Sequence, residues 1–441
     1  MRQEKYEAVV VGSGIGGMCA AALLAHSGYR TLVLEKLPVL GGRFSTREYR
    51  GYKLPTGAIG VETGGVVEQV FKEVEAPFDV RHVPELYYRV GGSDFLMPRG
   101  GGMRALIAHA ADSPEESERV MGAIKRGLVW RELPHSISFR EWLSQYTSNP
   151  KIQGVFQGVI SAMLGLNSHE LPASEFIGFI KGMSGYRGYG YAPQGNLGLM
   201  ESLAQVVRGR GGDVWTRCRV ERIQVEDEVV KGVVAETAMG EEVQISAKTV
   251  ISNTGPQITV KLVGEDNIER GYVKELKEKI RPVPVVWLCI ASDRPLHPYP
   301  GILLMAQARR VNLVACPTNT CPELAPPGMH LLVTGGAPAD CTVPVNMKDE
   351  VDLNVQDLRD NFPDFDGHAE VLLASCFYRD WPVYHSWAGS DLDQKTPVEN
   401  LYNVGDGVKP RGWAGLPACA ESARLVVEDI KARLKPEGVP A

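Results

Sequence analysis

Gly12-Ser13-Gly14-Ile15-Gly16-Gly17 follows the wholly apolar run from Ala8 to Val11 and precedes an alanine- and leucine-rich stretch. In this setting Gly12 permits a tight turn and Gly14 lets the backbone approach a pyrophosphate. Gly17 lets a helix pack closely on the strand. The helix that starts at Ile15 and Gly16 offers unpaired N–H groups and a partial positive charge to phosphate. Glu35 ends the next apolar run, 23 residues after Gly12, where a carboxylate can accept from ribose hydroxyls. Lys36 follows it and joins the candidate set. Together these residues predict dinucleotide binding.

Nicotinamide and flavin nucleotides share this element, so other residues must separate them. Leu40-Gly41-Gly42-Arg43 lies just beyond the second strand. Gly41 and Gly42 let the chain come near the pyrophosphate, and Arg43 is placed to neutralise it with bidentate hydrogen bonds. Near the other end, Asn400-Leu401-Tyr402-Asn403-Val404-Gly405-Asp406-Gly407 sets a carboxylate on a glycine turn behind a strand. Gly405 and Asp406 there suit the ribitol chain that flavins carry and nicotinamide nucleotides lack. A second helix N-terminus near Gly415-Leu416-Pro417 would stabilise negative charge at the N1/O2 edge of a reduced flavin. The expected cofactor is FAD, bound without a covalent link, because no cysteine or histidine carries an attachment motif. Cys419 stands nearest to an exception.

Flavin oxidation of a C–H bond delivers hydride to N5 from a substrate held over the ring, while the protein supplies orientation and dryness. No obligatory acid–base pair is expected. The catalytic candidates flank the C-terminal turn: Tyr384, His385, Arg411 and Trp413, with Trp387 and Lys409 beside them. His385 is a candidate base because the unperturbed imidazole pKa lies near neutrality, although a lone histidine is more often structural. Trp387 and Trp413 read equally as pocket walls and as core. Arg411 reads as an anchor for an acidic substrate group or a flavin phosphate, or as an exposed cation. Tyr186, Tyr189 and Tyr191 are expected to join the tryptophans around an apolar cavity with Arg411 at one end.

Such a site needs a frame, and 441 residues suffice for two or three structural units. A composition of 44% hydrophobic and 23% charged residues excludes disorder, collagen and coiled coil. The net charge of −6 gives no global basicity for nucleic acid. Eight scattered cysteines do not make a secreted disulfide scaffold. Cys316 and Cys321 lie close together but lack histidine partners, so no metal is expected. Arg2 and Lys5 before the apolar stretch imitate a signal peptide. Glycines interrupt that stretch, and cleavage would discard the nucleotide turn, so it reads as mature protein. No uninterrupted apolar run nears the roughly 20 residues of a spanning helix. The expected location is the cytoplasm. Residues 154–190 read first as plain core, then as pocket lining or as a peripheral membrane contact.

The first helix is expected to run to Ser27 and stop at Gly28. Val220 to Val225, Val229 to Glu236 and Val243 to Ile245 read as a β-meander turning at Asp227-Glu228 and near Gly240. Thr249 to Ser252 is a further buried strand, and a last helix is expected from about Pro417 to Leu434. The predicted class is α/β: a Rossmann-like FAD-binding domain interleaved with a mixed α+β substrate domain. The first comprises residues 1–65, 193–264 and 396–441, the second 66–192 and 265–395.

These motifs resemble the FAD-dependent amine oxidase and phytoene desaturase superfamily, most of all its phytoene dehydrogenase and carotenoid isomerase branch. Pro193-Gln194-Gly195-Asn196-Leu197 is similar to the branch's P-x-G-G segment, with Asn196 at the second glycine. Val220 to Ile223 resembles the strand whose backbone, at Val220, meets adenine. Val250 to Pro256 is similar to the family's return strand. Pro55-Thr56-Gly57 stands where the family often has Asp-x-Gly, and Arg411 and Trp413 replace parts of a glycine run. The resemblance implies an FAD-dependent oxidoreductase that dehydrogenates, desaturates or isomerises a small apolar substrate, isoprenoid or alicyclic. Oxygen, a quinone or another protein would take the electrons. An amine oxidase is the second reading; Gly415 occupies one position of the aromatic cage, and Trp413 is the aromatic that would serve there instead. A flavin-free escort of prenylated proteins is the third, and the complete Gly405-Asp406 turn argues against it.

Overall fold

Five strands lie parallel in the order Asp213–Trp215, Thr31–Leu34, Ala8–Val11, Thr249–Ser252 and Leu401–Asn403. In this computed structural model, residues 2–83, 85–98, 101–129, 136–182 and 188–437 are described. The three central strands are buried along their whole length. That burial on both faces is why they are unbroken apolar runs rather than alternating ones. Val10 sits between Val33 and Ile251 in register.

The helix Ile15–His26 follows the first strand and is buried from Ile15 to Ala25. It packs against the last helix, Gly415–Arg433, and against Asn196–Gly209. Its alanines let these three helices approach one another. Gly12 has φ +93°, and a Cβ on Gly17 would lie 2.3 Å from the Gly12 carbonyl oxygen. The tight turn and the close helix–strand contact expected of these glycines are both present.

The meander forms as Arg219–Glu226, Val229–Glu236 and Glu242–Ser246. Asp227 and Glu228 both have positive φ, at 50° and 61°, as a two-residue hairpin turn of matching twist requires. Arg2–Lys5 adds a parallel strand beside Glu242–Ser246, so the basic N-terminus is part of a sheet.

A seven-stranded sheet runs in the order Ala369–Phe377, Val285–Ser292, His330–Gly336, Leu313–Ala315, Ile302–Met305, Leu86–Val90 and Ser93–Leu96. The helix Met347–Asn361 packs on this sheet at Val285–Ser292, and Pro150–Leu164 packs at Ile302–Met305 and His330–Gly336. Val61–Glu62 and Arg81–Val83 both pair with Tyr189–Tyr191 in a small three-stranded sheet. Helix Val66–Glu73 lies past the boundary expected at residue 65. Its buried Val66, Val67, Val70 and Phe71 nevertheless share a core with the first and last helices. The architecture is α/β. No helix among the described residues is long and apolar enough to cross a membrane.

Two glycine substitutions separate packing from propensity. Gly17→Ala is expected to cost roughly 1–3 kcal/mol through overpacking against Gly12. Gly178→Ala meets nothing within 4 Å and lies inside the helix Ala173–Gly182, so it should stabilise by about 0.5–1 kcal/mol. Urea unfolding midpoints of the two variants check both signs.

Candidate active site

A cavity of about 1070 Å³ opens at the carboxyl ends of the parallel strands, lined there by Val11, Leu34 and Asn253. This is where an open α/β sheet leaves room for a ligand. Gly12, Gly14, Ile15 and Gly16 form part of its wall, with Glu35 and Lys36. Gly41, Gly42 and Arg43 line it too, as do Val220, Asp406, Gly415 and Leu416. Gly17 and Gly405 stand behind the wall. Gly405 N–H donates to Ser422 Oγ at 2.8 Å, and its φ is +107°.

Two helix N-termini face this cavity without caps. Gly14 precedes the first helix, which has no side-chain cap and no acid in its first turn. Its first intrahelical donor is Met18 N–H, to Gly14 O at 2.9 Å, so the N–H groups before it lack helical acceptors. Ala414 precedes the last helix in the same condition. Two positive helix ends on one cavity suit an anionic, elongated ligand.

Glu35 is buried, and its two oxygens tie the glycine turn to the loop after the second strand. Oε2 accepts from Ser13 N–H at 2.9 Å and from Ser13 Oγ at 2.6 Å, and Oε1 accepts from Leu37 N–H at 2.8 Å. Oε2 is filled by these two donors, and Oε1 keeps a lone pair for a further one.

Arg43, expected at a pyrophosphate, spends its bidentate geometry on protein. Nη1 donates to Asp406 Oδ2 at 2.7 Å and Nη2 to Oδ1 at 3.0 Å. Nη1 also reaches the carbonyls of Pro382 and Val383, at 2.9 and 2.5 Å. The physical reason is Asp406 itself, whose side chain is only 5% exposed and demands a cation. His385 Nδ1 lies 2.8 Å from Asp406 Oδ1 and 3.1 Å from Arg43 Nη2. The shorter contact puts the ring proton on Nδ1, facing Asp406. A Cβ on Gly255 would lie 2.7 Å from Nε2, so the ring is wedged between Asp406 and that backbone. His385 has the geometry of a positioning residue rather than a free base. Burial would raise the Asp406 carboxyl, but the Arg43 charge and His385 overcome it and hold it well below the usual carboxylate range.

The other candidates divide between the cavity and the rest of the protein. Tyr384 lines the cavity, donates to Met163 O at 2.9 Å, and is pushed up by burial, so it stays a neutral wall. Trp413 and Tyr189 line it as well. Arg411 does not: its side chain is 70% exposed and pairs with Glu175 Oε1 at 2.8 Å. The Glu175 side chain is only 2% exposed and holds the guanidinium away from the cavity wall, which corrects the substrate-anchor reading. Trp387 lies in the main core, with Arg281 over its ring at 5.8 Å, so its pocket-wall reading fails. Lys409 bonds Asp391 at 2.7 Å and Ser386 Oγ at 2.8 Å and is structural. Tyr191 is core at 1% exposure, and Tyr186 lies outside the described residues. Cys316 and Cys321 are fully buried.

Several cavity residues escaped the sequence. Asn253 donates from Nδ2 to Val404 O at 3.0 Å, and a Cβ on Gly14 would lie 2.4 Å from its Oδ1. A polar residue ending a buried parallel strand was the available signal. Val285, Trp287, Ile302, Leu313 and Phe377 come from the seven-stranded sheet, and Phe179 from the helix Ala173–Gly182. Nothing local marks them. Glu62 is a further wall residue.

Residues 15–431 match the family model described as flavin containing amine oxidoreductase, and the chain belongs to that family. Its members are oxidoreductases whose cofactor is a flavin, and the uncapped helix ends and glycine cradle fit one. An uncharacterised protein of Methanocaldococcus jannaschii is 28% identical over 96% of this chain and 98% of its own length. The 15-cis-phytoene desaturase of Capsicum annuum is 24% identical over 96% of this chain and 77% of its own. Among solved structures, an oxidoreductase from Methanosarcina mazei superposes with TM-score 0.85 at 29% identity, covering 96% of this chain and 100% of that one. Putrescine oxidase bound to putrescine superposes with TM-score 0.73 at 16% identity, covering 98% and 100%, which is a likeness of fold alone.

Asp406→Asn leaves the Arg43 charge buried without its partner, and it should cost roughly 3–5 kcal/mol of stability. In the wild type this contribution is complete above about pH 4, the unfolded carboxyl value. It is lost as pH falls through the lowered folded value. Urea unfolding at neutral pH and at about pH 3 should show the variant's deficit shrinking in acid.

Proposed function

We propose that this protein is an FAD-dependent dehydrogenase that binds its cofactor non-covalently and takes hydride from a C–H bond of an apolar substrate. Desaturation or isomerisation of an isoprenoid or alicyclic molecule is the reaction class. The observation that carries this reading is the chamber wall. No cavity-lining residue from helices Pro150–Leu164 and Ala173–Gly182 or from the seven-stranded sheet carries a charge. Pockets of this kind select apolar ligands and orient them with a few polar groups.

FAD fits the remaining wall. The glycine turn and the first helix N-terminus would receive the pyrophosphate, Glu35 the ribose hydroxyls, and the Val220 backbone the adenine. Asp406 would take a ribitol hydroxyl, and the last helix N-terminus would face the N1/O2 edge. When bound, the flavin supplies the hydride acceptor. Burial pushes the Cys419 thiol up, and a protonated thiol is a poor nucleophile, which favours non-covalent binding. The phytoene desaturase relative supports an apolar substrate. An amine oxidase would want an aromatic cage; Gly415 offers no ring, and Trp413 and Tyr384 are the aromatics beside it on the cavity wall.

Anaerobic mixing tests the reading. The FAD-loaded protein should lose its oxidised flavin absorbance with 15-cis-phytoene in detergent micelles or with an apolar alicyclic alkene, and keep it with putrescine. Reduction by putrescine alone would overturn the reading. Trp413→Ala should slow reduction by about tenfold or more while the melting point holds, whereas loss of a core tryptophan costs roughly 3–5 kcal/mol.

A further inference from the structure

Making a carbon–carbon double bond removes two hydrogens, one as hydride and one as a proton. A bound flavin would supply the acceptor for the first; the second needs a base in the same dry cavity. The side chains that flank the C-terminal turn are committed elsewhere. His385 Nδ1 faces Asp406, Tyr384 donates to Met163, and Arg411 is at the surface. Glu35 and Asp406 already accept from fixed donors.

Glu62 differs from all of these. It lines the cavity, and its Oε2 is buried and accepts no hydrogen bond. It stands opposite Tyr189 in the antiparallel pair, so the two side chains share one face of that small sheet. Tyr189 and Ile302 belong to the apolar chamber wall. A Cβ on Gly65 would lie 2.2 Å from the Glu62 carboxyl, so the bare glycine is what leaves this carboxyl its room.

Several charged groups on the neighbouring elements have partners of their own. On helix Val66–Glu73, Glu68 accepts from Gly64 N–H at 2.6 Å. On the last helix, Glu421 pairs with Arg424 at 3.1 Å. On strand Arg81–Val83, His82 Nδ1 bonds Thr63 Oγ1 at 2.6 Å, and Arg81 pairs with Glu323. Burial alone raises the Glu62 carboxyl, to about 6, near the range where a general base works best at neutral pH.

We propose that Glu62 is the catalytic base of this cavity, taking the proton from the carbon next to the one that gives up hydride; this rests on the dehydrogenase reading. Two electrons would leave with the hydride, for which a bound flavin would be the acceptor. The C–H electron pair left on the neighbouring carbon becomes the π bond, and Glu62 later releases its proton to solvent.

The test uses the FAD-loaded wild type, Glu62→Gln and Glu62→Asp. Titrated over about pH 4.5–8, the wild-type flavin spectrum should show a transition with its midpoint near 6, absent in Glu62→Gln. A wild type without that transition, or a Glu62→Gln protein that keeps it, overturns the proposal. With 15-cis-phytoene in micelles, the wild-type reduction rate should rise with pH through the same midpoint. Glu62→Gln should lower it about 10²-fold or more with an unchanged melting point, and Glu62→Asp should restore part of the loss. A lowered melting point with an unchanged pH profile would make Glu62 a structural cap and sink the idea. A Glu62→Gln effect confined to the KM for putrescine would make it a cation anchor and sink it equally. If no apolar probe reduces a wild type that does show the transition, the dehydrogenase reading and its base both fail, and Glu62 stands only as a titrating wall group.

Discussion

The ion pair between Arg43 and Asp406 is the constraint on which the site depends. Removing two charges from water is expensive, and only close geometry with further hydrogen bonds offsets it. Arg43 meets that demand from one loop, the Pro382 and Val383 carbonyls from a second, and Asp406 from a third. The first loop follows the second parallel strand, the second follows the edge strand Ala369–Phe377, and the third precedes the last helix. One guanidinium therefore fixes the nucleotide cradle against the apolar chamber. His385 and the Lys409–Asp391–Ser386 cluster tighten the same junction from behind.

The nucleotide half was legible in the sequence because its demands are local. Gly12 must adopt positive φ, Gly17 must spare Gly12 a Cβ, and buried parallel strands must be apolar throughout. Those requirements are met within a few residues of each motif. The meander was legible for the same reason, since Asp227 and Glu228 alone decide its first turn.

The chamber half was not, because its outcome rests on contacts far apart in the chain. Arg411 looks free to bind a ligand until Glu175, 236 positions away, takes it. Arg43 looks free to bind phosphate until Asp406, 363 positions away, takes it. Val285, Ile302 and Leu313 are ordinary strand residues locally, and only the order of the seven-stranded sheet makes them walls of one space. Trp387 was ambiguous because an indole serves core and pocket equally well. Glu62 left no mark, since an unpaired carboxyl is a property of its surroundings rather than of the sequence.

Family membership supplies a flavin and an oxidoreductase; the cavity proposes which flavin nucleotide and which substrate class. The most direct measurement is acid precipitation of the purified protein, followed by spectra and mass analysis of supernatant and pellet. The account predicts a yellow protein that releases intact FAD into the supernatant, about one molecule per chain because one cradle has two uncapped helix ends. A colourless protein that binds no added FAD, or flavin retained in the pellet, would contradict it.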